Sequence, residues 1–556
     1  MQKARPGAAE DRPTTTIRSR RISEEAAILG VLFGAGLVAV AALFRPWNTP
    51  AIGFDSAASV LYFDRLGAHQ SLEAFVGSTP KPLMTLLYGV AFNLFHDWRL
   101  VSVLATVEFP VMLVAAAALG WRTAGPVAAG MTAFGLIGCR LLLLDGALTY
   151  ANPWAILFWT LAGLALTAKS PRYGLAGAAL FLAALMRVET FVVLAVAAIV
   201  LASWRLLPAR WIPGGSRPPA RAALLMLGAL ALPVMILHDW LLTSNGFFWL
   251  DVSSIVSRSA PSTVETPLQV ARDLVQHYSG AWPLALLSAV AVVDLVRRRR
   301  TAVLLGLIAC GPGVLALLEL LALRNTYVSY RYTIPAGAAL IFAAAIGADA
   351  LVRVLVRALA AAARRRDAFP AALARMATGE RARDRLAAAV GAVAIGALTA
   401  VVLVRPYGLS RGTLANIDDY RALQANYERL EPEIADALRA LPDQPVWSLA
   451  DNQQPHAGPP PRLYGPPLLN ARIAIDLGLP FWAVWDGSPI QGDPSTLQVT
   501  VPAIVYIDAN EGGDPPADDL PLEVDRVTRV GHVTVQPLVA LPSAGLWVVE
   551  VSPAGN

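Results

Sequence analysis

The chain has 556 residues, of which 56% are hydrophobic and 15% charged, with a mean hydropathy of +0.52 and a formal net charge of +5. Soluble domains carry charge on about a quarter of their residues, so this composition excludes a soluble enzyme and points to a polytopic helical membrane protein. The two cysteines, Cys139 and Cys310, lie in apolar segments; a disulfide framework is excluded, and no Cys/His spacing fits a metal site.

The amino end, residues 1–24, is polar and basic and reads as a disordered tail. No small-residue cleavage site follows it, so the first apolar run is expected to stay as a span. Twelve apolar segments are expected at roughly 26–45, 83–97, 99–120, 125–144, 150–168, 173–186, 190–204, 222–241, 282–296, 301–322, 333–351 and 386–404. Basic loops fall between them at Lys169–Arg172, 205–221, Arg297–Arg300 and 353–385, which fixes the cytoplasmic side. From Arg405 onward 9 basic residues stand against 19 acidic ones, a balance of −10, whereas the first 404 residues carry +15. The basic excess orients spans and does not read as a nucleic-acid surface. The tail is thus expected inside and the part from 405 outside.

The early segments do not close. With the tail inside and Tyr150 outside, an even number of crossings must follow the first span, yet three candidates lie between Phe44 and Tyr150. One fails to cross or two form one bent element, which gives 11 full crossings. Two outer loops, 46–82 and 243–281, are long enough to carry short helices in the interface plane, SAASVLYFDRL and TPLQVARDLVQHY. The carboxyl-terminal part opens on a helical pattern, DDYRALQANYERLEPEIADALRAL. The short apolar runs PVWSLA, PAIVYIDAN and GLWVVEVSP follow and read as strands of a small α/β domain.

Charged residues gather at the outer ends of these segments. Asp55 precedes SAASVLYF and by pattern is a helix N-cap, a role compatible with presenting one oxygen to a substrate. Asp64, nine residues on, falls on the opposite side of the same helix and reads as solvated. Lys81 stands between two prolines in GSTPKPL; it is either aimed by them or snorkels at the interface, and only three lysines occur in the chain. Arg140, Asp145 and Asn152 cluster in CRLLLLDGALTYANPW. Arg187 and Glu189, in ALMRVETF, form either a polar turn or part of a site. Arg324 and Arg331, in RNTYVSYRYTIPA, are outer cations against the charge bias and point to an anionic ligand. One carboxylate among several cations suits a reaction that deprotonates a hydroxyl and expels a phosphate.

A basic tail, one span, an outer loop opening on Asp55 and Lys81-Pro82-Leu83 before an aliphatic span resembles the GT-C glycosyltransferase superfamily. The likeness is to the branch of protein O-mannosyltransferases and bacterial lipid A aminoarabinose transferases. Arg140 to Asp145 looks like the family's arginine-and-aspartate stretch, and Met186-Arg187-Val188-Glu189 like its hairpin with a basic tip. HDWLLTSNGFFWL and YRYTIPAGAAL are similar to further stretches of bacterial members. Ser56 stands where the family has a second acid, and one proline of its triplet stands at position 80.

Over residues 25–404 the resemblance implies a GT-C-like membrane fold of 11 to 12 helices with interfacial helices. It also implies inverting transfer of a sugar from a polyprenyl-phosphate donor to an extracytoplasmic glycan, lipid or protein at the cytoplasmic membrane. Asp55 would be the base, and Lys81, Arg187 and Arg331 would hold the lipid phosphate. Arg140, Asp145, Glu189 and Tyr332 would contact substrate. Some members of the superfamily use a divalent ion, but no acidic or histidine cluster here is dense enough to predict a metal or other cofactor. The competing expectations are a non-catalytic lipid-linked sugar carrier and a membrane-anchored binding protein. A carrier places its ionisable groups near mid-membrane and shows repeats; a binding protein leaves the membrane charges unexplained.

Overall fold

The computed structural model describes chiefly residues 33–48, 50–67, 80–203, 219–247, 249–250, 282–324 and 330–365, together with parts of 417–439, 463–464, 472, 484–485, 503–508, 526–541 and 546–554. The amino tail, the second surface helix expected in 243–281 and the last expected span at 386–404 lie outside these residues. Four helices among the described residues are long and apolar enough to cross a membrane, or five with one bent pair, and shorter apolar helices pack with them. The protein is a multi-pass helical membrane protein.

The helices are α1 (Phe33–Phe44), α2 (Phe54–Gly67), α3 (Pro82–Asn93), α4 (Trp98–Thr123), α5 (Pro126–Ile137), α6 (Arg140–Ala147), α7 (Asn152–Leu166), α8 (Tyr173–Met186) and α9 (Thr190–Ser203). A 3₁₀ stretch (Ala220–Leu230) then runs into α10 (Ala231–Thr243). It is followed by α11 (Trp282–Arg297), α12 (Thr301–Leu323) and α13 (Ile334–Arg365). Prolines open α3, α5 and α7, where a missing N–H costs nothing. Asp97 caps α4 by accepting from the Arg99 N–H at 2.8 Å. Helix α12 passes through a π turn at Ala309–Gly313, where Pro312 supplies no donor to the ladder. The apolar interior is built around Phe44, Phe109, Met112, Leu136, Leu142 and Ile334, with the Phe44 and Phe109 rings edge to face at 5.6 Å.

Contacts along α13 fix which end of each rod is which. Gly135 of α5 faces Ile341, while Gly125 faces Asp349 and Ala124 accepts from Arg353 at 3.1 Å. Arg353 lies 19 residues beyond Ile334, about 28 Å along the axis. Helix α4 therefore ends at the far end of α13, and α5 returns toward the Ile334 end. The return is broken at Gly138–Cys139, where α5 and α6 bend by 64°. Trp98, 26 residues before Ala124, stands at the Ile334 end, and its ring lies 4.5 Å from that of Phe92 in the last turn of α3. Lys81, just before α3, bonds Asp55, and Gly53, two residues before Asp55, donates to Leu148 O at the end of α6, so α3 starts and finishes at the same end of the molecule. Of the three early segments, 83–97 is the odd one; its 12 helical residues lie along the end of the bundle.

Two expectations about 46–82 change. The helix begins at Phe54, so Asp55 sits in its first turn and is not the N-cap. Residues Ser56 to Tyr62 are all buried, so α2 is enclosed by protein, not laid on a surface by one apolar face. Close backbone approach explains part of this: a Cβ on Gly89 of α3 would fall 2.1 Å from the Phe63 side chain. The expected span 222–241 opens as an 11-residue 3₁₀ stretch, longer than such stretches usually run.

The described strands of the carboxyl-terminal part form one mixed sheet in the order β2-β1-β3-β6-β5-β4. They are β1 (Leu463–Tyr464), β2 (Val484–Trp485), β3 (Ala503–Asp508), β4 (Thr528–Val530), β5 (Val533–Leu541) and β6 (Leu546–Pro553). Strands β3 and β6, the runs AIVYID and LWVVEVSP, pair antiparallel at its centre. The run PVWSLA lies outside the described residues.

Candidate active site

The site lies where the starts of α2, α3, α7 and α13 and the α6–α7 and α8–α9 turns meet. Gly53 allows the entry to α2. Its N–H donates to Leu148 O at 2.8 Å, and a Cβ there would sit 2.6 Å from the Tyr150 ring. Ser56, one residue past Asp55, donates to Thr149 O at 2.8 Å and accepts from Thr149 Oγ1 at 2.7 Å. Thr149 holds a left-handed backbone (φ 59°), and these bonds sit beside that strained turn. A larger acid at position 56 would have to displace this buried pair, which gives the serine a packing reason.

Lys81 Nζ donates to Asp55 Oδ2 at 3.2 Å. Their side chains are 11% and 24% exposed, enough for a substrate atom to reach the carboxylate. Arg331 stacks its guanidinium over Tyr150 at 4.1 Å, and Arg187 stacks over Tyr332 at 4.8 Å. Arg187 is held in place by Glu189 through a two-point contact, Nε to Oε2 at 3.1 Å and Nη2 to Oε1. Asn152 Nδ2 donates to Asp145 Oδ2 at 2.6 Å and to the Arg331 carbonyl at 3.3 Å, joining α7 to the turn before α13.

These groups share one electrostatic field. Burial pushes the Asp55 carboxyl up, but Lys81, Arg331 and Arg187 outweigh it and hold the group below the usual carboxylate value. Burial pushes the Lys81 ammonium down, and the two arginines add to this against the pull of Asp55. For Arg187 burial works downward, and Glu189 overcomes it and raises the guanidinium. The lysine, under pressure from neighbouring cations, favours the arrival of an anion, while the lowered carboxyl stays able to take a proton.

The structure brings Asp55, Lys81, Asp145, Arg187, Glu189, Arg331 and Tyr332 together. Arg140 is apart: it opens α6, five residues and about 7.5 Å along the axis from Asp145. Asp64 is 39% exposed and faces Arg65 at 3.7 Å, away from Asp55. Arg324 ends α12 in an exposed position. Sequence reasoning passed over Tyr150, the platform for Arg331, and the Ser56–Thr149 pair. It could have marked Tyr150, an aromatic between Asp145 and Asn152. Among the described residues no group of three His, Cys, Asp or Glu side chains could hold a metal ion, and no step is assigned to one.

An apolar cavity of about 170 Å³ lies inside the bundle between α7, α12 and α13; its lining runs from Pro335, four residues past Arg331, through Ile156 and Trp159 to Thr167 and Ala302 at the far end, and holds none of the site's charged groups.

No protein-family model matches the chain, and no curated protein matches it in sequence. Among solved structures it is similar to ArnT from Cupriavidus metallidurans in the apo state, at 13% identity and a TM-score of 0.48, covering 95% of this chain and 98% of that one. The same protein bound to undecaprenyl phosphate gives 14% identity and a TM-score of 0.45 over 94% and 98%. The archaeal oligosaccharyltransferase AglB from Archaeoglobus fulgidus, in complex with an inhibitory peptide and a dolichol-phosphate, gives 12% identity and a TM-score of 0.46. That match covers 82% of this chain and 65% of the other.

Proposed function

We propose that the protein is an inverting membrane glycosyltransferase that moves a sugar from a polyprenyl-phosphate carrier to a hydroxyl-bearing acceptor outside the cytoplasmic membrane. One observation carries this reading: a carboxylate tuned to stay ionised faces three cations from separate elements, and an apolar cavity begins at Pro335, one turn past Arg331. A cation cluster next to apolar surface matches the two halves of a lipid phosphate. The cavity supports placing the prenyl chain along α7 and α13, below Arg331.

Asp55 takes the acceptor's hydroxyl proton as the acceptor oxygen attacks the anomeric carbon. The carbon–oxygen bond to phosphate breaks with its electron pair on the phosphate. The leaving lipid phosphate needs no proton, and Lys81, Arg187 and Arg331 offset its added charge. Arg187 is preorganised by Glu189 and Tyr332, and Arg331 by Tyr150, so little reorganisation is needed when charge develops. Asp145 and Asn152 border the same space and are placed to contact sugar or acceptor hydroxyls. In this reading 11 helices cross, with α3 along the outer face, the tail inside and the domain from 405 outside.

The test is acceptor-dependent release of polyprenyl phosphate by the purified full chain in nanodiscs, with product stereochemistry read by NMR. Inverted product and loss of turnover in Asp55→Asn, with donor binding kept, are expected. Translocation of a lipid-linked sugar without transfer would replace this reading by a carrier.

A further inference from the structure

A buried polar relay lies outside the charged cluster and reaches it through α3. His238 and Asp239, near the end of α10, are 6% and 0% exposed. His238 Nδ1 lies 3.2 Å from Asp239 Oδ1, and His238 Nε2 lies 3.3 Å from Thr85 Oγ1. The other Asp239 oxygen accepts the Trp249 N–H at 3.3 Å, so the carboxylate is held from both sides. With Asp239 on Nδ1, that nitrogen carries the proton and Nε2 is left to accept the Thr85 hydroxyl. The Tyr62 ring of α2 closes the imidazole edge-on at 6.3 Å.

Thr85 is one turn past Lys81; its N–H closes the first turn on the Lys81 carbonyl at 3.0 Å. Residues four apart share a helix face. Prolines on either side of Lys81 remove freedom from its backbone. The direction of the lysine therefore follows the rotation of α3 about its axis, and the Thr85–His238 bond is the side-chain tie nearest to it.

We propose that His238 is a positioning residue: by accepting the Thr85 hydroxyl it sets the rotation of α3 at which Lys81 meets Asp55. His238 is assigned a role through α3 and no contact with substrate, and the kinetic part of the proposal rests on the glycosyl-transfer reading above. Asp55 is also faced by Arg187, Arg331 and Asp145. Withdrawing Lys81 removes one of three cations that keep it ionised, while the arginines remain.

The test uses the full chain in nanodiscs with Thr85→Val, Thr85→Ser and His238→Ala. Thr85→Val replaces a hydroxyl by a methyl of similar size, so it decides the matter even where His238→Ala fails to fold. Two readouts are taken. The first is the ¹³C signal of reductively methylated lysines, few enough here to assign Lys81 against Lys3 and Lys169. The second is the pH profile of kcat/KM for a polyprenyl-phosphate sugar.

In Thr85→Val and His238→Ala the Lys81 signal should move while the other two stay. The acid limb should rise by about one pH unit, the low end for losing a neighbouring opposite charge. Donor KM should rise roughly ten-fold. Thr85→Ser, which keeps the hydroxyl, should restore wild-type values. Folded Thr85→Val with an unchanged Lys81 signal would overturn the proposal. A wild-type chain with no transfer at any pH would sink the glycosyltransferase reading instead, and the lysine signal would still judge His238.

Discussion

In the proposed reaction Asp55 works as a base only while ionised, and its neighbours hold its pKa below the ordinary carboxylate value. Transfer should therefore persist well into the acid range and fade as pH drops through that lowered pKa. Lys81→Gln removes a cation, raises the Asp55 pKa and moves this acid limb upward, which a pH–rate profile will read. The same change should weaken donor binding by about 1.5–3 kcal/mol, as for a lost charged hydrogen bond; direct donor titration checks it. Asp55→Asn retains size and a partner for Lys81 but takes no proton. A loss of about 100- to 10,000-fold in transfer is expected with donor affinity nearly intact. Asp64→Asn, at an exposed position facing Arg65, should leave the rate within a small factor of wild type. If the Asp55→Asn rate stays near wild type in folded protein, Asp55 is a structural residue of the first turn of α2.

At the scale of elements, glycines set how closely the rods approach. A Cβ on Gly347 of α13 would fall 1.8 Å from the Leu287 carbonyl oxygen of α11, a backbone atom that cannot swing aside. Gly347→Ala must push the two helices apart and should cost about 1–3 kcal/mol, read as a lower Tm of the full chain in detergent. Gly34→Ala, with nothing within 4 Å of the new methyl, should hold or raise Tm because alanine favours helix. Equal Tm changes in the two would show that the α11–α13 contact is not tight.

Element positions were legible because apolar length is written directly in the chain. Which ends meet was not: α3 has the composition of a span, and only the Trp98, Ala124 and Arg353 contacts reveal that it stays at one end. The cations of the site were legible because they break the charge bias of outer loops. Thr149 and His238 were not, since a hydroxyl or an imidazole gains its role only from a partner distant in sequence.

For the whole molecule, charge is sorted along the bundle axis. Lys169 follows α7, which runs away from the site. Arg297 to Arg300 follow α11, whose Asp294 meets Arg353 at the far end, at 3.1 Å. These two basic loops thus lie opposite the site, while the cations at the site are stacked on tyrosines or paired with acids. Short basic loops tend to stay cytoplasmic, so the proposed function expects the site outside. Two carboxyl-terminal arginines tie the acidic part to the same end. Arg472 lies over the Trp98 ring at 5.5 Å, and Arg421 donates to the carbonyl of Leu43, at the end of α1. A phosphatase reporter that works only when exported should therefore be active when fused after Asn556, and protease added to intact spheroplasts should clip the part beyond 405. A maleimide reagent that does not cross membranes should label a cysteine placed at Asp64 but not one placed at Arg299. Labelling of position 299 alone, with an inactive phosphatase fusion, would turn the molecule over and move the chemistry to the cytoplasmic face.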